Sequence, residues 1–148
     1  MQIIRLELKD LEDLVPLFDA YRQFYRKESD QIGAEHFLRR RMESKEAIFF
    51  GAKSNERLCG FVTLYSLFSS VRMKPIFLLN DLFVDPVFRN QSIGKLLLSH
   101  AQDLAIEKKC AGILLETEKT NDAGNHLYPS VGFNLEAGSN FYFWTNQS

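Results

Sequence analysis

The residues between 79 and 95 have the types and the order that could bind a phosphate group. An apolar run is stopped by Asp85-Pro86, a short polar loop follows, and an amphipathic helical pattern then begins. At such a junction several backbone N–H groups lack a partner and point into one concavity, where the helix dipole adds about half a positive charge. Arg89 and Lys95 could add full charges. The pattern therefore predicts a pyrophosphate site, unless it is an ordinary strand–turn–helix with Gly94 near the helix start.

A second candidate group is the carboxylate of Asp81, which interrupts the apolar run 76–84. Burying an Asp among Leu and Phe residues costs free energy unless the carboxylate has a polar partner or contacts water. Asp81 is therefore a candidate functional residue. The alternative, in which Asp81 caps a loop or pairs with an arginine, stays open. The spacing of His36, His100 and His126 fits no metal site, and we expect no metal.

These groups must be positioned by secondary structure, and the hydrophobic periodicity predicts the element order β-α-α-β-β-β-α-β-α-β-β. The run 76–84 is almost continuously apolar, which is typical of a central strand covered on both faces. The expected strands are Ile4–Leu8, Ile48–Ala52, Leu58–Leu67, Ile76–Val84, Gly112–Thr117, Phe133–Ala137 and Phe141–Trp144, and the expected helices are Leu11 to about Lys27, a short one around 37–42, Ser92–Lys109 and Asn121–Val131.

Length and composition fit one ordinary globular domain over residues 1–148, with 45% apolar and 25% charged residues. Because 18 Lys and Arg stand against 19 Asp and Glu, no net field attracts nucleic acid or an anionic membrane. Cys59 and Cys110 belong to no C-x-x-C pair, and we interpret both as packed thiols. The N-terminus lacks the apolar stretch of a signal peptide, and no segment is long enough to span a membrane. We therefore expect a cytoplasmic protein.

The segment 84–94 resembles the acyl-coenzyme A signature of the GNAT (N-acetyltransferase) superfamily, Q/R-x-x-G-x-G/A after a strand that ends in V-x-P. Arg89, Ser92 and Gly94 occupy its fixed places, while Asn90 and Ser92 stand where many members have glycine. The resemblance implies acetyl-CoA as cosubstrate, with backbone groups of the preceding strand on the pantetheine arm, a main-chain donor near Phe83 on the thioester carbonyl, and the loop on the pyrophosphate. The implied coenzyme contacts are Leu82, Phe83, Val84, Arg89, Asn90, Gln91, Ser92, Ile93, Gly94 and Lys95.

The segment 121–133 is similar to a second motif of the same superfamily, N-x-x-A-x-x-L-Y-x-x-x-G-F. The resemblance implies that Asn121 lies along the coenzyme and that the Tyr128 hydroxyl reaches the sulfur. A leaving thiolate has a conjugate acid of pKa about 8.5, so a phenol of pKa about 10 can stay protonated until it delivers its proton. The alternative for Tyr128 is a structural role, in which its ring packs in the core. Gly124 and Pro129 depart from the motif.

The string Leu-Asn-Asp-Leu-Phe-Val at 79–84 is similar to that of superfamily members that acetylate polyamines and other small amines. An ammonium of pKa about 10.4 must lose a proton before it attacks, and Asp81 is the carboxylate we expect to assist, directly or through water. Further acceptor-side candidates, each with a structural alternative, are Tyr21, Arg22, Tyr25, Glu116 and Glu118.

Together the two motifs imply a mixed α/β GNAT fold. In it a mostly antiparallel seven-stranded sheet carries helices on both faces and splays between strands 4 and 5. The implied reaction is direct transfer of an acetyl group from acetyl-CoA to a primary amine on a small molecule. The alternatives are a protein N-terminal or lysine acetyltransferase, and a noncatalytic acyl-CoA-binding regulatory protein. Relatives of this kind are often homodimers, so we expect a homodimer.

Overall fold

A computed structural model describes residues 1–148, in which the chain divides into two compact units, residues 1–116 and 117–148. The predicted helices and the first five predicted strands are all present. The strands are β1 (Gln2–Arg5), β2 (Ala47–Ser54), β3 (Arg57–Ser69), β4 (Lys74–Val84) and β5 (Ile113–Leu115), and the helices are α1 (Leu11–Phe24), α2 (Gln31–Glu43), α3 (Ile93–Glu107) and α4 (Asp122–Ser130). Short 3-10 turns cover Leu8–Asp10 and Pro86–Phe88. None of the helices is long and apolar enough to cross a membrane.

The first unit is built on a five-stranded sheet in the order β1-β2-β3-β4-β5. Neighbouring strands are antiparallel except β4 and β5, which are parallel. A parallel pair needs a crossover, and α3 supplies it between β4 and β5. The predicted mostly antiparallel character is therefore confirmed for the strands that form.

Apolar side chains alternate between the two faces of this sheet, as the period of two in a strand requires. Phe49 and Phe61 face one core cluster with α1 and α2. Phe50 faces the opposite side, where its ring lies 6.1 Å from that of His100 on α3. The sheet thus carries helices on both faces, as predicted.

The helix α1 ends three residues earlier than the periodicity predicts. Arg26 adopts a left-handed φ of 68°, and the Lys27 amide turns back to the Arg22 carbonyl at 3.0 Å. Those backbone contacts end the helix although the side-chain pattern continues.

The second unit begins with α4, whose N-cap is Asn121. Residues after Val131 form turns and extended chain without a strand. The predicted strands Phe133–Ala137 and Phe141–Trp144 are therefore wrong for this structure, and so is the seven-strand count. A β-prone sequence becomes a strand only when its N–H and C=O groups pair with a neighbour, and the backbone bonds between 133 and 148 are local ones such as Ala137 N to Leu135 O at 3.1 Å.

Candidate active site

A β-bulge in β4 determines which backbone groups are available for binding. Leu79 pairs with Leu64 and Asp81 pairs with Thr63, so Asn80 has no residue opposite it. Such an extra residue shifts the alternation of the strand by one position. Before the bulge, Leu79 directs its backbone N–H and C=O groups toward β5. After it the Asp85 amide donates to Cys59 on β3 at 2.8 Å, so Leu82 and Val84 direct their N–H and C=O groups away from β3.

The sheet also opens beside those groups, because β5 pairs with β4 only from Phe77 to Leu79. The last five residues of β4 extend beyond this short ladder. One edge of β4 is thus unpaired by β5 along Leu82 and Val84, at the carboxyl end of the parallel pair, where open α/β sheets bind ligands. The position matches the splay expected between strands 4 and 5.

The loop between β4 and α3 carries a run of backbone amides that have no partner within the chain. Asn90 and Ser92 have left-handed φ angles of 64° and 61°, and a left-handed residue next to right-handed ones turns successive N–H groups to the same side. No backbone N–H group from Asn90 to Lys95 donates a hydrogen bond within the chain, and the Leu96 amide is the first to do so, to Ser92 O at 3.1 Å. We call residues 90–95 the amide nest.

The two departures from the family signature, Asn90 and Ser92, are thus the left-handed residues of the amide nest. Asn is one of the few residues that tolerate this region easily. Ser92 is the N-cap of α3, yet its side chain makes no capping bond, so its hydroxyl and the amides around it stay available to a ligand.

Two cationic side chains lie beside the amide nest: Arg89 contacts its neighbours in the chain, and Lys95 is exposed. The Arg89 guanidinium lies 5.5 Å from the centre of the Phe83 ring, and its Nε donates to the Val84 carbonyl at 3.0 Å. Lys95 is exposed on the first turn of α3. Asp85 accepts from the Val87 amide at 3.0 Å and pairs with Arg57 at 3.1 Å. The Arg57 guanidinium thus neutralises the Asp85 carboxylate at the start of this loop.

Asp81 lies in a buried polar pocket on the α1 face of the sheet, with 6% of its surface exposed. Its Oδ1 accepts from the Asn80 amide nitrogen at 3.1 Å. Burial raises the pKa of the Asp81 carboxyl above its ordinary value, and the side chains of Thr63, Tyr21 and Asn80 offset part of the rise. The Thr63 hydroxyl has no hydrogen bond of standard geometry, although its proximity favours the charged carboxylate.

Among the predicted acceptor-side residues, Tyr21 lies closest to this pocket, since its hydroxyl donates to the Asn80 carbonyl at 3.3 Å. Its ring packs edge-on against Tyr25 and Phe83, with centroids 5.2 Å and 6.0 Å away. Arg22 points elsewhere and donates to the Glu28 carbonyl at 3.2 Å. An aromatic wall therefore lines the α1 side of Asp81.

The sequence analysis missed Thr63 and Tyr65 as parts of the polar pocket. Both share the Asp81 face of β3, and burial together with the Asp81 charge raises the pKa of the Tyr65 hydroxyl. The signal was available in principle, because residues two apart on a strand share a face. It required the register between β3 and β4, which the bulge displaces.

A cavity of about 350 Å³ beside α1 is a different feature. It lies toward the end of β4 and is lined mainly by charged side chains and prolines. Its lining includes Glu12, Asp13, Glu56, Arg57 and Asp85, but neither Asp81 nor the amide nest. We therefore place the chemistry elsewhere.

In the second unit Asn121 organises the start of α4. Its Oδ1 accepts from the Gly124 amide at 3.1 Å, and its Nδ2 donates to the Thr117 hydroxyl at 2.9 Å. A Cβ on Gly124 would lie 2.5 Å from Asn121 Nδ2 and 3.2 Å from the Tyr128 ring. Gly124 thus packs closely against the Asn121 side chain that caps α4, and an alanine at this position would displace that cap.

Tyr128 lies in the last turns of α4, half-buried, with its ring 5.9 Å from that of Phe133. Pro129 follows it directly but does not break the helix, because α4 ends one residue later at Ser130. The Tyr128 carbonyl instead accepts from the amides of Val131 and Phe133, at 3.2 and 3.1 Å. The proline therefore coincides with the end of the helix.

The remaining candidate residues lie at positions that need no functional explanation. Glu116 is exposed and Glu118 is half-buried, each in a different unit. The Leu96 carbonyl accepts from His100 Nδ1, 3.1 Å away, one helical turn along the surface of α3. Both cysteines are free thiols, Cys59 buried and Cys110 half-buried.

Comparison with known proteins identifies the relatives of this arrangement. Residues 14–133 match the profile of the acetyltransferase (GNAT) family. An uncharacterized N-acetyltransferase of Bacillus subtilis, YhfO, is 41% identical over 138 residues, which is 93% of each chain.

Solved structures share the fold. The crystal structure of a probable acetyltransferase has a TM-score of 0.95 and 32% identity, and covers 100% of this chain and 99% of its own. An aminoglycoside N-acetyltransferase in complex with CoA has a TM-score of 0.82 over 99% of this chain and 95% of its own, but only 18% identity. At that identity the likeness concerns the fold.

Because the pKa of Asp81 is raised, the folded state holds its proton to higher pH than the unfolded state does. Its contribution to stability is then present below the unfolded pKa, near 3.8, and is lost as the pH rises through the folded pKa. We expect Asp81→Asn to remove this loss, so the variant gains stability relative to wild type as the pH rises above about 4. Urea unfolding across a pH series measures it, with the exposed Asp103→Asn as control. Equal pH profiles for wild type and Asp81→Asn would contradict the assignment.

Proposed function

The chain belongs to the GNAT family of acetyltransferases and is an acetyl-CoA-dependent N-acetyltransferase, and we propose that its acceptor is a primary amine on a small molecule. The observation that carries the coenzyme side is the coincidence, within residues 80–95, of a strand edge left open by a bulge with an amide nest that makes no internal hydrogen bond. The proposal for the amine acceptor depends on Asp81.

Acetyl-CoA supplies an acetyl group as a thioester on a long arm that ends in a pyrophosphate. The amide nest has the donors that a pyrophosphate needs, and the N-terminus of α3 adds its positive dipole end. Arg89 and Lys95 add charge from either end of the nest. Leu82 and Val84 offer their backbone groups as a partner strand would, and so can hold the amides of the pantetheine arm. A main-chain donor next to Phe83 then polarises the thioester carbonyl.

Phe83 contributes to the same site through its side chain, which lies on the α1 face of the sheet. Its side chain is buried among Tyr21, Phe24 and Phe61 on the α1 face, and Arg89 rests on its ring. We assign it the role of a rigid floor that fixes the end of β4.

The amine must arrive as an ammonium and attack as a neutral amine, so a proton acceptor is needed. Asp81 is suited to this, because burial raises the pKa of its carboxyl and so makes the carboxylate a stronger base. The polar atoms of Thr63 and Tyr21 around it can orient the amine or a relay water. Asn80 stands where polyamine-type members carry Glu, so the pocket has one carboxylate and favours a monocationic amine.

The departing sulfur needs a proton, and we assign its donor as Tyr128. Asn121, already fixed by its bonds to Thr117 and Gly124, keeps a second N–H for the coenzyme. The reaction is then a direct transfer. Asp81 takes one proton from the ammonium, and the neutral nitrogen bonds to the acetyl carbon. The carbon–sulfur bond then breaks as Tyr128 protonates the sulfur, and the second nitrogen proton passes through water to restore the Tyr128 hydroxyl.

A small-molecule acceptor fits the related fold of an aminoglycoside N-acetyltransferase, although that similarity is one of fold. The rivals are a protein N-terminal or lysine acetyltransferase and a noncatalytic acyl-CoA-binding regulatory protein. We further propose a cytoplasmic homodimer. The two free cysteines support a reducing compartment.

The deciding experiment follows thiol release from acetyl-CoA with three acceptor sets: small mono- and diamines, aminoglycosides, and peptides with free N-termini or lysines. We expect turnover with small amines, fastest with monocations. Turnover on peptides alone would favour the protein acetyltransferase. Coenzyme binding without turnover on any acceptor would favour the regulatory protein.

For the amide nest we expect Lys95→Gln to weaken coenzyme A binding about 10- to 100-fold, because it removes a charged contact to the pyrophosphate. Isothermal titration measures it. Lys108→Gln, at the other end of α3, is the matched control and should bind normally. If both variants bind as wild type does, the nest is not the pyrophosphate site.

For the proton donor we expect Tyr128→Phe to lower kcat by about 10²- to 10⁴-fold with little change in the KM for acetyl-CoA. The phenyl ring keeps the packing on Phe133 and loses only the hydroxyl. Tyr142→Phe is the control for removing a phenol. Full activity of Tyr128→Phe would assign the proton to another donor.

A further inference from the structure

The Thr63 hydroxyl is a buried polar group that lacks a well-formed hydrogen bond. Thr63 is 1% exposed, and its Oγ1 is shielded from solvent without a bond of standard geometry. A hydroxyl that leaves water and gains no partner destabilises the fold. Such groups are rare in protein interiors, so this one needs an explanation.

The position of Thr63 in the sheet places its side chain beside Asp81. The two residues are paired across β3 and β4, and the side chains of such a pair share a face, with Cβ atoms about 4.5–5.5 Å apart. On its other side Thr63 is paired with Phe49 of β2, which is 2% exposed in the core cluster under α1. One cross-strand neighbour of the hydroxyl is therefore a hydrocarbon ring, and the other is a carboxyl group.

Asp81 needs different partners in its two protonation states. A carboxylate only accepts hydrogen bonds, whereas a carboxylic acid must also donate one. The Asn80 Nδ2 group, 3.1 Å from Asp81 Oδ1, can only donate. The Tyr21 hydroxyl donates its proton to the Asn80 carbonyl at 3.3 Å. A hydroxyl has one donor and two acceptor lone pairs and can rotate, so the Thr63 hydroxyl can serve Asp81 in either state.

The titratable groups that face this pocket do not place a fixed charge on Asp81. Tyr21 faces it from α1 and Tyr65 from β3, and burial together with the Asp81 charge raises the pKa of the Tyr65 hydroxyl. On α2, Arg41 forms an ion pair with Glu46 at 2.6 Å, and the two charges act on the pKa of Tyr65 in opposite senses. The protonation of Asp81 is therefore governed by its burial and by neutral polar side chains.

We propose that Thr63 is the positioning residue of Asp81, whose hydroxyl donates to the carboxylate before proton transfer and accepts from the carboxylic acid after it. This inference rests on the proposed role of Asp81 as the base. In the step itself an N–H bond of the ammonium breaks and an O–H bond forms on Asp81. The Thr63 hydroxyl keeps its own proton and only rotates, so the carboxyl group holds one orientation toward the amine in both states.

The first test needs no substrate. Thr63→Val replaces the hydroxyl by a methyl group, and Thr63→Ser keeps the hydroxyl. Because the Thr63 hydroxyl lowers the pKa of Asp81, its removal should raise that pKa by about one unit, as for a hydrogen bond to a charged group. Thr63→Val should then keep losing stability, as the pH rises, to about one unit beyond the pH at which wild type levels off. Urea unfolding across a pH series measures this, and Thr63→Ser should level off with wild type.

The same shift should appear in turnover. Thiol release from acetyl-CoA with saturating n-butylamine gives kcat as a function of pH, and the ionisation of the free amine is common to all variants. We expect the rising limb of Thr63→Val to move about one unit to higher pH, with kcat about tenfold lower on that limb and little change in the KM for acetyl-CoA. Thr63→Ser should restore the wild-type limb.

Two control variants separate the hydroxyl from packing. Phe49→Leu disturbs the packing on the other side of Thr63 without removing a polar group, and Thr145→Val removes a hydroxyl from an exposed residue. Both should leave the pH at which stability levels off unchanged, whatever they do to stability itself. If Thr63→Val does not fold, Thr63→Ala removes the same hydroxyl and should show the same shift.

Asp81→Asn distinguishes a failure of this inference from a failure of the proposed function. If Asp81→Asn abolishes the pH dependence while the hydroxyl-free variants at position 63 retain the wild-type profile, Thr63 is not the partner and the base assignment stands. If the pH dependence of both stability and kcat persists in Asp81→Asn, Asp81 is not the base, and the role of Thr63 is overturned with it.

Discussion

The site depends on one irregularity, the extra residue in β4 at Asn80. Without it the strand would keep a single alternation, and the groups that pair toward β5 at Leu79 would continue in phase to Asp81 and Phe83. With it, Asp81 and Phe83 turn their side chains to α1, while Leu82 and Val84 turn their backbone to the opening. One inserted residue therefore separates the acceptor side from the coenzyme side on neighbouring positions of the same strand.

The polar pocket has an energetic cost that the surrounding fold must carry. A carboxyl that is 6% exposed and held by hydrogen bonds to neutral side chains is not stabilised by any cation in its immediate contacts. The aromatic wall of Tyr21, Tyr25 and Phe83 lines the α1 side of Asp81, and burial raises the pKa of the Asp81 carboxyl. The same rings make the pocket rigid, because each packs against at least one other. Reactivity and local packing are thus produced by the same side chains.

Much of this could be predicted from the sequence, and the failures have identifiable causes. The helices and the first five strands follow from apolar periodicity, and the loop before α3 follows from its turn residues and the family motif. The bulge at Asn80 could not be predicted, because β-pairing of Asp81 with Thr63 is a tertiary fact with no local signature. Thr63 and Tyr65 were missed for the same reason. The two C-terminal strands were predicted from propensity alone, which cannot say whether a partner strand is present in the chain.

The exposed C-terminal segment, residues 133–148, also bears on how a newly made chain behaves. From Gly138 to Ser148 it carries no charged residue and no proline, and segments of high β-propensity without such residues form intermolecular β-structure readily. The three-residue ladder of β5 offers only a short template for unplanned pairing. The aromatic stretch itself has no comparable protection. A chain whose residues 141–144 are exposed is therefore at risk of aggregation through this stretch.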